Sequence, residues 1–449
     1  MIAGINWLNA QVQGYGYKDI RLQQRLEKVV DQFSVSDLGK GFPAIFPDKY
    51  ALKAFYLLMN HTQTSHSGLL SCFRQNLSLK AGHLYFIIQD SSKLDFTSQQ
   101  QKEGMGYVSG LYQRGLWLHN GLVLSEQGVP EGMLCQQIII RDDKDYGKSH
   151  QRKQRSFEEK ESYKWVQALT CGKEAAAQYG CRFVHIMDRE ADVLEVIRKA
   201  WEEKQHFLIR ASHDRRLPGK DAQVKKLREH LELIEPVKLD MELPAGAGKV
   251  EKHACELKWQ VFEVEGQRLS VVALSSLTAP ELEWVLLSDL EVKDQEQALC
   301  LIRDYKRRWI VEELHKGIKT GCKTEKRQFS SLHATLNSIA LLTLMAVWLL
   351  RIKVLAQTSG DEDIRQAISE QEQQVLKVLA KQHLRPIQKQ KLKEFSAKWL
   401  AVLLGNMGGF VGNQDKHMPG WQTLWLGYLR YKSFFEAFNI GVKSAKDMG

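Results

Sequence analysis

The sequence predicts an α/β protein, because apolar segments typical of strands are followed by segments typical of helices. Residues 83–90, HLYFIIQD, form an apolar strand pattern that ends in an acidic residue. Residues 115–128 and 132–143 have the pattern of two further strands. A helix is predicted over 159–180, and 181–203 has the pattern of a strand, an acidic residue and a helix. Such an order indicates a sheet covered by helices.

The N-terminal region is predicted to be helical. In residues 19–33, DIRLQQRLEKVVDQF, five apolar side chains share one helix face after Asp19, a residue type that favours the N-cap position. These side chains are Leu22, Leu26, Val29, Val30 and Phe33. We expect a helical domain over 1–70 with basic edges suited to DNA contact. A plain helical bundle is the alternative.

Composition indicates a soluble globular protein, since 43% of the 449 residues are hydrophobic and 26% are charged. The longest apolar run, residues 339–350, is too short to span a bilayer and is typical of a buried helix. The first residues lack a signal pattern, and the seven cysteines form no CxxC pair. We therefore expect a cytoplasmic protein, associated with the bacterial nucleoid, without contact with membranes.

The charge balance favours a polyanionic partner. The net charge is +10, and Lys and Arg cluster in four segments: 148–155, 249–253, 303–308 and 323–327. In a cytosolic protein such a balance is most often matched to nucleic acid.

Residues 305–321, YKRRWIVEELHKGIKTG, have the pattern of one amphipathic helix. At about 100° per residue, four polar side chains fall within a wedge of roughly 60°. They are Tyr305, Arg308, Glu312 and Lys319. The apolar residues Ile310, Val311, Leu314 and Ile318 lie on the opposite side. The simplest interpretation of the polar stripe is a solvated face with ordinary ion pairs.

Three carboxylates suggest a different interpretation. Asp90 and Asp188 each follow an apolar strand, where side chains that carry chemistry gather in open α/β sheets, and Glu312 lies on a helix that follows the sheet. Each acid alone is more typical of a turn or a helix cap. Together they suit Mg²⁺ or Mn²⁺, two of which can clamp the oxygens of a phosphodiester. Arg308 and Lys319 would then hold DNA phosphates.

The spacing Tyr-x2-Arg-x3-Glu-x6-Lys from Tyr305 to Lys319 is the YREK signature of DDE transposases of the bacterial insertion-sequence-four family, which the chain resembles over nearly its whole length. QDSS around Asp90 and DREAD around Asp188 resemble the two aspartate motifs of that family. Residues 159–165, 283–290 and 408–428 also resemble family segments. As departures, Ser91 and Ser92 stand where a family relative carries threonines, and the first 18 residues match less clearly.

The resemblance implies an RNase H-like catalytic core over 71–370 with a β-rich insertion at about 206–290. It also implies that the helical domain over 1–70 binds DNA ends, and that a helical C-terminal domain over 371–449 dimerises. In residues 420–438 an aromatic face at helical spacing either forms that interface or packs inside its own chain. The side chains of this face are Trp421, Leu424, Trp425, Tyr428 and Leu429.

The function implied is cut-and-paste transposition of double-stranded DNA. Two Mg²⁺ ions, replaceable by Mn²⁺, are bound by Asp90, Asp188 and Glu312 for nicking, hairpin formation, hairpin resolution and joining of 3′ ends to target DNA. The implied DNA contacts are Tyr305, Arg308, Lys319, Trp284, Arg210 and Lys316, with Trp284 stacked on a flipped base. The partners are inverted-repeat ends, target DNA and a second copy in the paired-end complex.

Two other functions remain open on this sequence. One is a metal-dependent RNase H-like nuclease that cuts DNA without joining it. The other is an inactive DNA-binding regulator, although the three acids and all four YREK residues are present, which argues against loss of the active site.

Overall fold

The computed structural model describes residues 3–99, 103–148, 154–218, 223–244, 250–279, 282–358, 360–365, 368–412 and 418–447. Parts of the basic clusters at 148–155 and 249–253, and of the segment 408–428, lie outside these ranges.

Helices precede the strands, lie between them and follow them along the chain. They are α1 (Ala3–Ala10), α2 (Ile20–Ser34), α3 (Phe42–Ile45), α4 (Lys49–Asn60), α5 (His66–Gln75), α6 (Tyr163–Tyr179), α7 (Leu194–Glu202), α8 (Leu227–Glu232), α9 (Gln295–Lys306), α10 (Trp309–Lys316), α11 (Leu332–Thr358), α12 (Glu370–His383), α13 (Pro386–Lys391), α14 (Ala397–Met407) and α15 (Trp421–Asp447).

The strands are β1 (Leu84–Asp95), β2 (Gly106–Tyr107), β3 (Arg114–Ser125), β4 (Pro130–Ile139), β5 (Arg182–Met187), β6 (His206–Arg210), β7 (Arg216–Pro218), β8 (Val224–Lys226), β9 (Val237–Pro244), β10 (Val250–Val264), β11 (Gln267–Ser276) and β12 (Glu283–Ser288).

Ten strands form one mixed sheet, which confirms the predicted α/β class. Its order is β2-β3-β1-β5-β6-β12-β11-β10-β9, and β4 also pairs with β3. Strand β5 is parallel to both β1 and β6, whereas the other neighbours are antiparallel. The remaining strands, β7 and β8, form a separate small pair.

The region predicted to be β-rich, 206–290, extends this sheet. Strand β12 pairs with β6, with Leu287 opposite Ile209, and strands β11, β10 and β9 follow outward. The hydrogen-bond ladder therefore continues from the parallel strands into the region between the second aspartate and the glutamate.

The N-terminal helices belong to the same core as the sheet. All five side chains predicted for the inner face of α2 are buried, and the Asp19 carboxylate caps the helix by accepting from the Arg21 amide, as predicted. They join one continuous apolar cluster that also includes Phe86 of β1 and Trp348 of α11.

Helix α11 is the buried helix predicted around the apolar run. Within it, Leu332–Leu355 is long and apolar enough to cross a membrane, but 83% of its most apolar window is buried inside the protein. Such burial is typical of the core helix of a soluble protein.

The aromatic face of α15 packs inside its own chain. Trp421, Trp425 and Tyr428 are buried, and the Trp425 ring centroid lies 4.9 Å from that of Trp348 in α11. Helices α14 and α15 approach closely, because a Cβ atom at Gly427 would lie 1.7 Å from the Leu404 carbonyl oxygen. This face is therefore occupied within the chain and is not free for dimerisation.

Candidate active site

Asp90 lies in β1, and Asp188 comes immediately after the parallel neighbour β5. The last registered pair of β1 and β5 is Ile88 with Ile186, and each aspartate follows two residues later. Asp188 lies one residue past the end of β5 and keeps extended backbone angles. Since alternate residues of a strand share a face, both aspartates continue the side of the sheet on which the two isoleucines lie. The sheet therefore brings together two acids that are 98 residues apart in the sequence (188 minus 90).

The prediction that Asp90 ends its strand is wrong. Strand β1 continues to Asp95, because it stays paired with β3 as far as Asp95 opposite Gly115. The parallel partner β5 ends at Met187, so Asp90 lies where the parallel pairing ends and the antiparallel pairing continues.

Burial makes the charged forms of both aspartates less favourable. The Asp90 side chain is only 15% exposed. Its pKa is raised to about 6, first by burial and then by the negative charge of Asp188, against the opposing charge of Arg308. Burial also raises the pKa of Asp188, while a hydrogen bond from the Glu190 amide acts in the opposite direction. A cation bound between the two aspartates would therefore favour their charged forms.

Arg308 joins Asp90 to Glu312. Its Nη1 donates to Oδ2 of Asp90 at 3.1 Å, and its Nη2 donates to Oε1 of Glu312 at 2.5 Å. Asp188 is close enough for its charge to interact with Arg308. The structure therefore gathers the three predicted acids around one guanidinium group.

The prediction of one uniform helix over 305–321 is wrong. Helix α9 ends at Lys306 and α10 begins at Trp309, and the amides of Arg308 and Ile310 donate to carbonyls three residues earlier. A π-helical turn follows over Gly317–Gly321. The backbone keeps right-handed helical angles at Arg307 and Arg308, so the predicted apolar stripe stays buried at Val311, Leu314 and Ile318.

The tyrosine of the YREK pattern is buried. Tyr305 is 4% exposed, and its ring meets that of Trp284 edge to face, with 5.5 Å between centroids. Arg210, at the end of β6, donates to the Glu283 carbonyl oxygen at 2.7 Å and lies near Tyr305 and Arg308. These predicted DNA contacts therefore form one group beside the acids, which does not fit a plain solvated stripe.

The two predicted lysines differ in their surroundings. Lys319 is partly buried in the π-helical turn, where burial lowers its pKa, Glu325 opposes the shift and Lys93 adds to it. Glu325 accepts a hydrogen bond from the Asp95 amide at 2.9 Å, which ties this segment to the end of β1. Lys316 is exposed at the end of α10.

Sequence reasoning missed a polar chain beneath Asp90. Ser91 Oγ lies 3.0 Å from Nδ1 of His119, whose Nε2 lies 3.2 Å from Oε1 of Gln89. The Gln89 amide nitrogen then lies 2.7 Å from Nδ1 of His185. The signal in the sequence was a polar residue within each of three largely apolar strand segments, namely Gln89, His119 and His185. These hydrogen bonds connect the two residues that flank Asp90 in β1 to the neighbouring strands β3 and β5.

The donor chemistry of the acids fits Mg²⁺. Among the residues that the structure describes, no group of three or more His, Cys, Asp or Glu side chains is close enough to hold a metal ion. Mg²⁺, however, usually takes one or two carboxylates together with water and substrate phosphates rather than a cage made of protein alone. Asp90 in β1 and Asp188 just after β5 supply such a pair, and Arg308 joins Glu312 to Asp90.

The site thus combines carboxylates, cations and two adjoining aromatic rings at the end of the parallel strand pair. No model of a known protein family matches the chain.

Proposed function

We propose that this protein is a metal-dependent cut-and-paste DNA transposase of the DDE class, similar to the insertion-sequence-four family. The observation that carries the proposal is the level placement of Asp90 and Asp188, with Glu312 joined to Asp90 through Arg308. The mixed sheet that carries the two aspartates supports an RNase H-like core.

In this proposal Asp90, Asp188 and Glu312 hold two Mg²⁺ ions, for which Mn²⁺ can substitute. Bound there, the ions supply polarisation of a water or a 3′-hydroxyl and stabilise charge on the attacked phosphate. The protein's part is to keep the carboxylates ionised and together. Arg308 does this by balancing their charge, and it becomes free to hold a phosphate when the ions replace it.

DNA is held by the cations around the acids. Arg308, Arg210 and Lys319 surround the site, and the more exposed Lys316 extends the basic surface along α10. The net charge of +10 supports such a partner. These groups contact phosphates, so they position DNA without reading its sequence.

Trp284 is proposed to stack on a base flipped out of the DNA end during hairpin formation. Its position against Tyr305 and near Arg210 supports this role. Because Trp284 is only 9% exposed, its ring must leave Tyr305 before a base can stack on it. Base–aromatic stacking of about 1–3 kcal/mol can offset the cost of that separation. The Trp284→Ala variant should nick DNA but should not form the hairpin. A normal yield of hairpin would show that Trp284 only packs in the core.

The proposed active complex contains a second copy of the chain bound to paired DNA ends. Since the aromatic face of α15 is covered internally, contact between copies requires other residues. Phe434 and Ile440 on the same helix are 50% and 70% exposed and are available for it.

The test uses a supercoiled plasmid that carries the coding sequence with its natural flanking DNA. With Mg²⁺ the protein should release the segment and join its 3′ ends to a second plasmid. Asp188→Ala should abolish cleavage and keep DNA binding, while Glu195→Gln, at an exposed carboxylate of α7, should behave as the unmodified protein. Release of ends without joined product would favour the nuclease, and binding without cleavage would favour the inactive regulator.

A further inference from the structure

A second buried hydrogen-bond chain runs from helix α5 to helix α10. His66 Nε2 lies 2.8 Å from Oε1 of Gln136 in β4, and Nε2 of Gln136 donates to Oδ1 of Asn120 in β3 at 2.7 Å. Nδ2 of Asn120 lies 3.0 Å from Nε2 of His315 in α10. A branch from Gln136 reaches Oγ1 of Thr343 at 3.0 Å. Asn120 is fully buried, and the two histidines form the partly exposed ends.

The chemistry of the amides gives this chain a direction. Gln136 donates with its nitrogen to Asn120, so Asn120 presents its own nitrogen to His315. An amide nitrogen only donates, so Nε2 of His315 must be the acceptor and its proton must lie on Nδ1. At the other end His66 donates from Nε2 to the Gln136 oxygen. Each of the three hydrogen bonds therefore pairs a donor with an acceptor, and in each one the acceptor lies on the side of α10.

The chain ends beside two of the proposed ligands. Asn120 is the register partner of Asp90 in the β1–β3 pair, and His315 lies three residues after Glu312 on α10. The Asn120 side chain therefore connects the strand partner of Asp90 to α10, the helix that carries Glu312.

We infer that Asn120 and His315 are positioning residues that set Glu312 against Asp90, and that Gln136 and His66 extend this control to the N-terminal helices. This inference rests on the proposed function, because it concerns the geometry of the same metal site. His315 acts through α10 and touches none of the three carboxylates by a hydrogen bond within the described residues.

The surroundings keep His315 a neutral acceptor. Burial lowers its pKa to about 3, and the charges of Lys319 and Arg308 act in the same direction. A neutral His315 does not compete with a cation for the acids, and its Nε2 lone pair remains available to Asn120.

The first experiment measures the tautomer directly. The protein is labelled with ¹⁵N-histidine, and the ring nitrogens of His315 are assigned by their loss in His315→Gln. A protonated Nδ1 and an unprotonated Nε2 are expected at pH 7. In Asn120→Asp the carboxylate can no longer donate, so the proton should move to Nε2. A proton on Nε2 in the unmodified protein would overturn the direction of the chain.

The second experiment measures Mn²⁺ binding by electron paramagnetic resonance, without DNA and without turnover. Loss of side chains that hold metal ligands in place typically weakens binding about 10- to 100-fold, and we expect this for His315→Leu. His315→Gln keeps an acceptor oxygen and should recover much of the affinity. Thr335→Val alters a buried threonine of α11 that does not belong to the hydrogen-bond chain. It should change the Mn²⁺ affinity less than about twofold.

Thermal unfolding of each variant separates positioning from a purely structural role. Unchanged Mn²⁺ affinity in a folded His315→Leu would overturn the inference and leave the proposed function standing. Mn²⁺ binding that is absent in the unmodified protein, or unaffected by Asp188→Ala, would instead overturn the proposed function. Where His315→Leu does not fold, the Mn²⁺ affinities of Asn120→Asp and Thr335→Val are compared. Equal affinities would overturn the inference.

Discussion

The Arg308 guanidinium donates to the Asp90 carboxylate at 3.1 Å and so ties the start of α10 to the central strand β1. Both side chains are largely buried, at 16% and 15% exposure. The same guanidinium also binds Glu312. One cation therefore balances two of the three acids.

Replacing Arg308 with Gln should destabilise the metal-free protein by about 1–3 kcal/mol, because two carboxylates lose their charged partner. Mg²⁺ should reduce this loss, because without Arg308 the acids bind the ion more tightly, and the ion then stabilises the variant more than the unmodified protein. Urea unfolding in EDTA and in Mg²⁺ measures both effects. Arg303→Gln, at an exposed position of α9, is the matched control. An equal loss with and without Mg²⁺ would contradict the prediction.

Asp90→Asn should make the metal-free protein more stable at pH 8. The carboxyl of Asp90 has a pKa of about 6 in the folded protein against an ordinary value of 3.8. It therefore favours folding below pH 4, and this contribution is lost as the pH rises through 6. The gain in Asp90→Asn at pH 8 should be about 2–3 kcal/mol, with little difference at pH 4.

The measurement is denaturant unfolding across pH 4 to 8 in EDTA. Asp361→Asn, at an exposed carboxyl, should show no such dependence. A variant less stable than the unmodified protein at pH 8 would show that the charge of Asp90 stabilises the fold.

Lys319→Ala should weaken DNA binding on every sequence and make the salt dependence shallower by about one unit, as loss of one phosphate contact does. Lys316→Ala should have a similar effect. Affinity measured from 50 to 200 mM salt gives the slope, and Lys173→Ala, exposed on α6, serves as control. An unchanged salt dependence of DNA binding would show that Lys319 contributes to the fold and does not contact a phosphate.

Trp425→Ala should destabilise the isolated chain by about 3–5 kcal/mol, because it leaves a cavity against Trp348. Phe434→Ala, at a half-exposed position of the same helix, should cost less than about 1 kcal/mol. Urea unfolding of both variants provides the comparison. If Trp425→Ala left unfolding unchanged and prevented paired-end complexes, the aromatic face would belong to an interface between copies.

Local patterns in the sequence predicted the elements that have an apolar face. The buried side of α2 and the buried residues of α10 follow from spacing alone, since the helical period fixes which side chains share a face. No spacing pattern indicates the break between α9 and α10, because the residues at the break keep helical angles and the apolar stripe continues through it.

The end of β1 was misjudged for a related reason. In the sequence the apolar pattern ends at the acidic residue Asp90, but Ser92 and Leu94 are buried and continue the alternation of the strand. The partner that decides the length is β3, which local sequence does not reveal. The chain from His66 to His315 was equally hidden, because it joins residues from four separate elements.

The pairing of β12 with β6 has a consequence for anyone who wishes to shorten this protein. Removing residues 211–290 would not detach an independent module, because β6 would be left as a bare edge with unpaired backbone groups. Such an edge recruits strands from other molecules and promotes aggregation. A smaller functional version would need a replacement strand at β6, or charged residues placed to repel one.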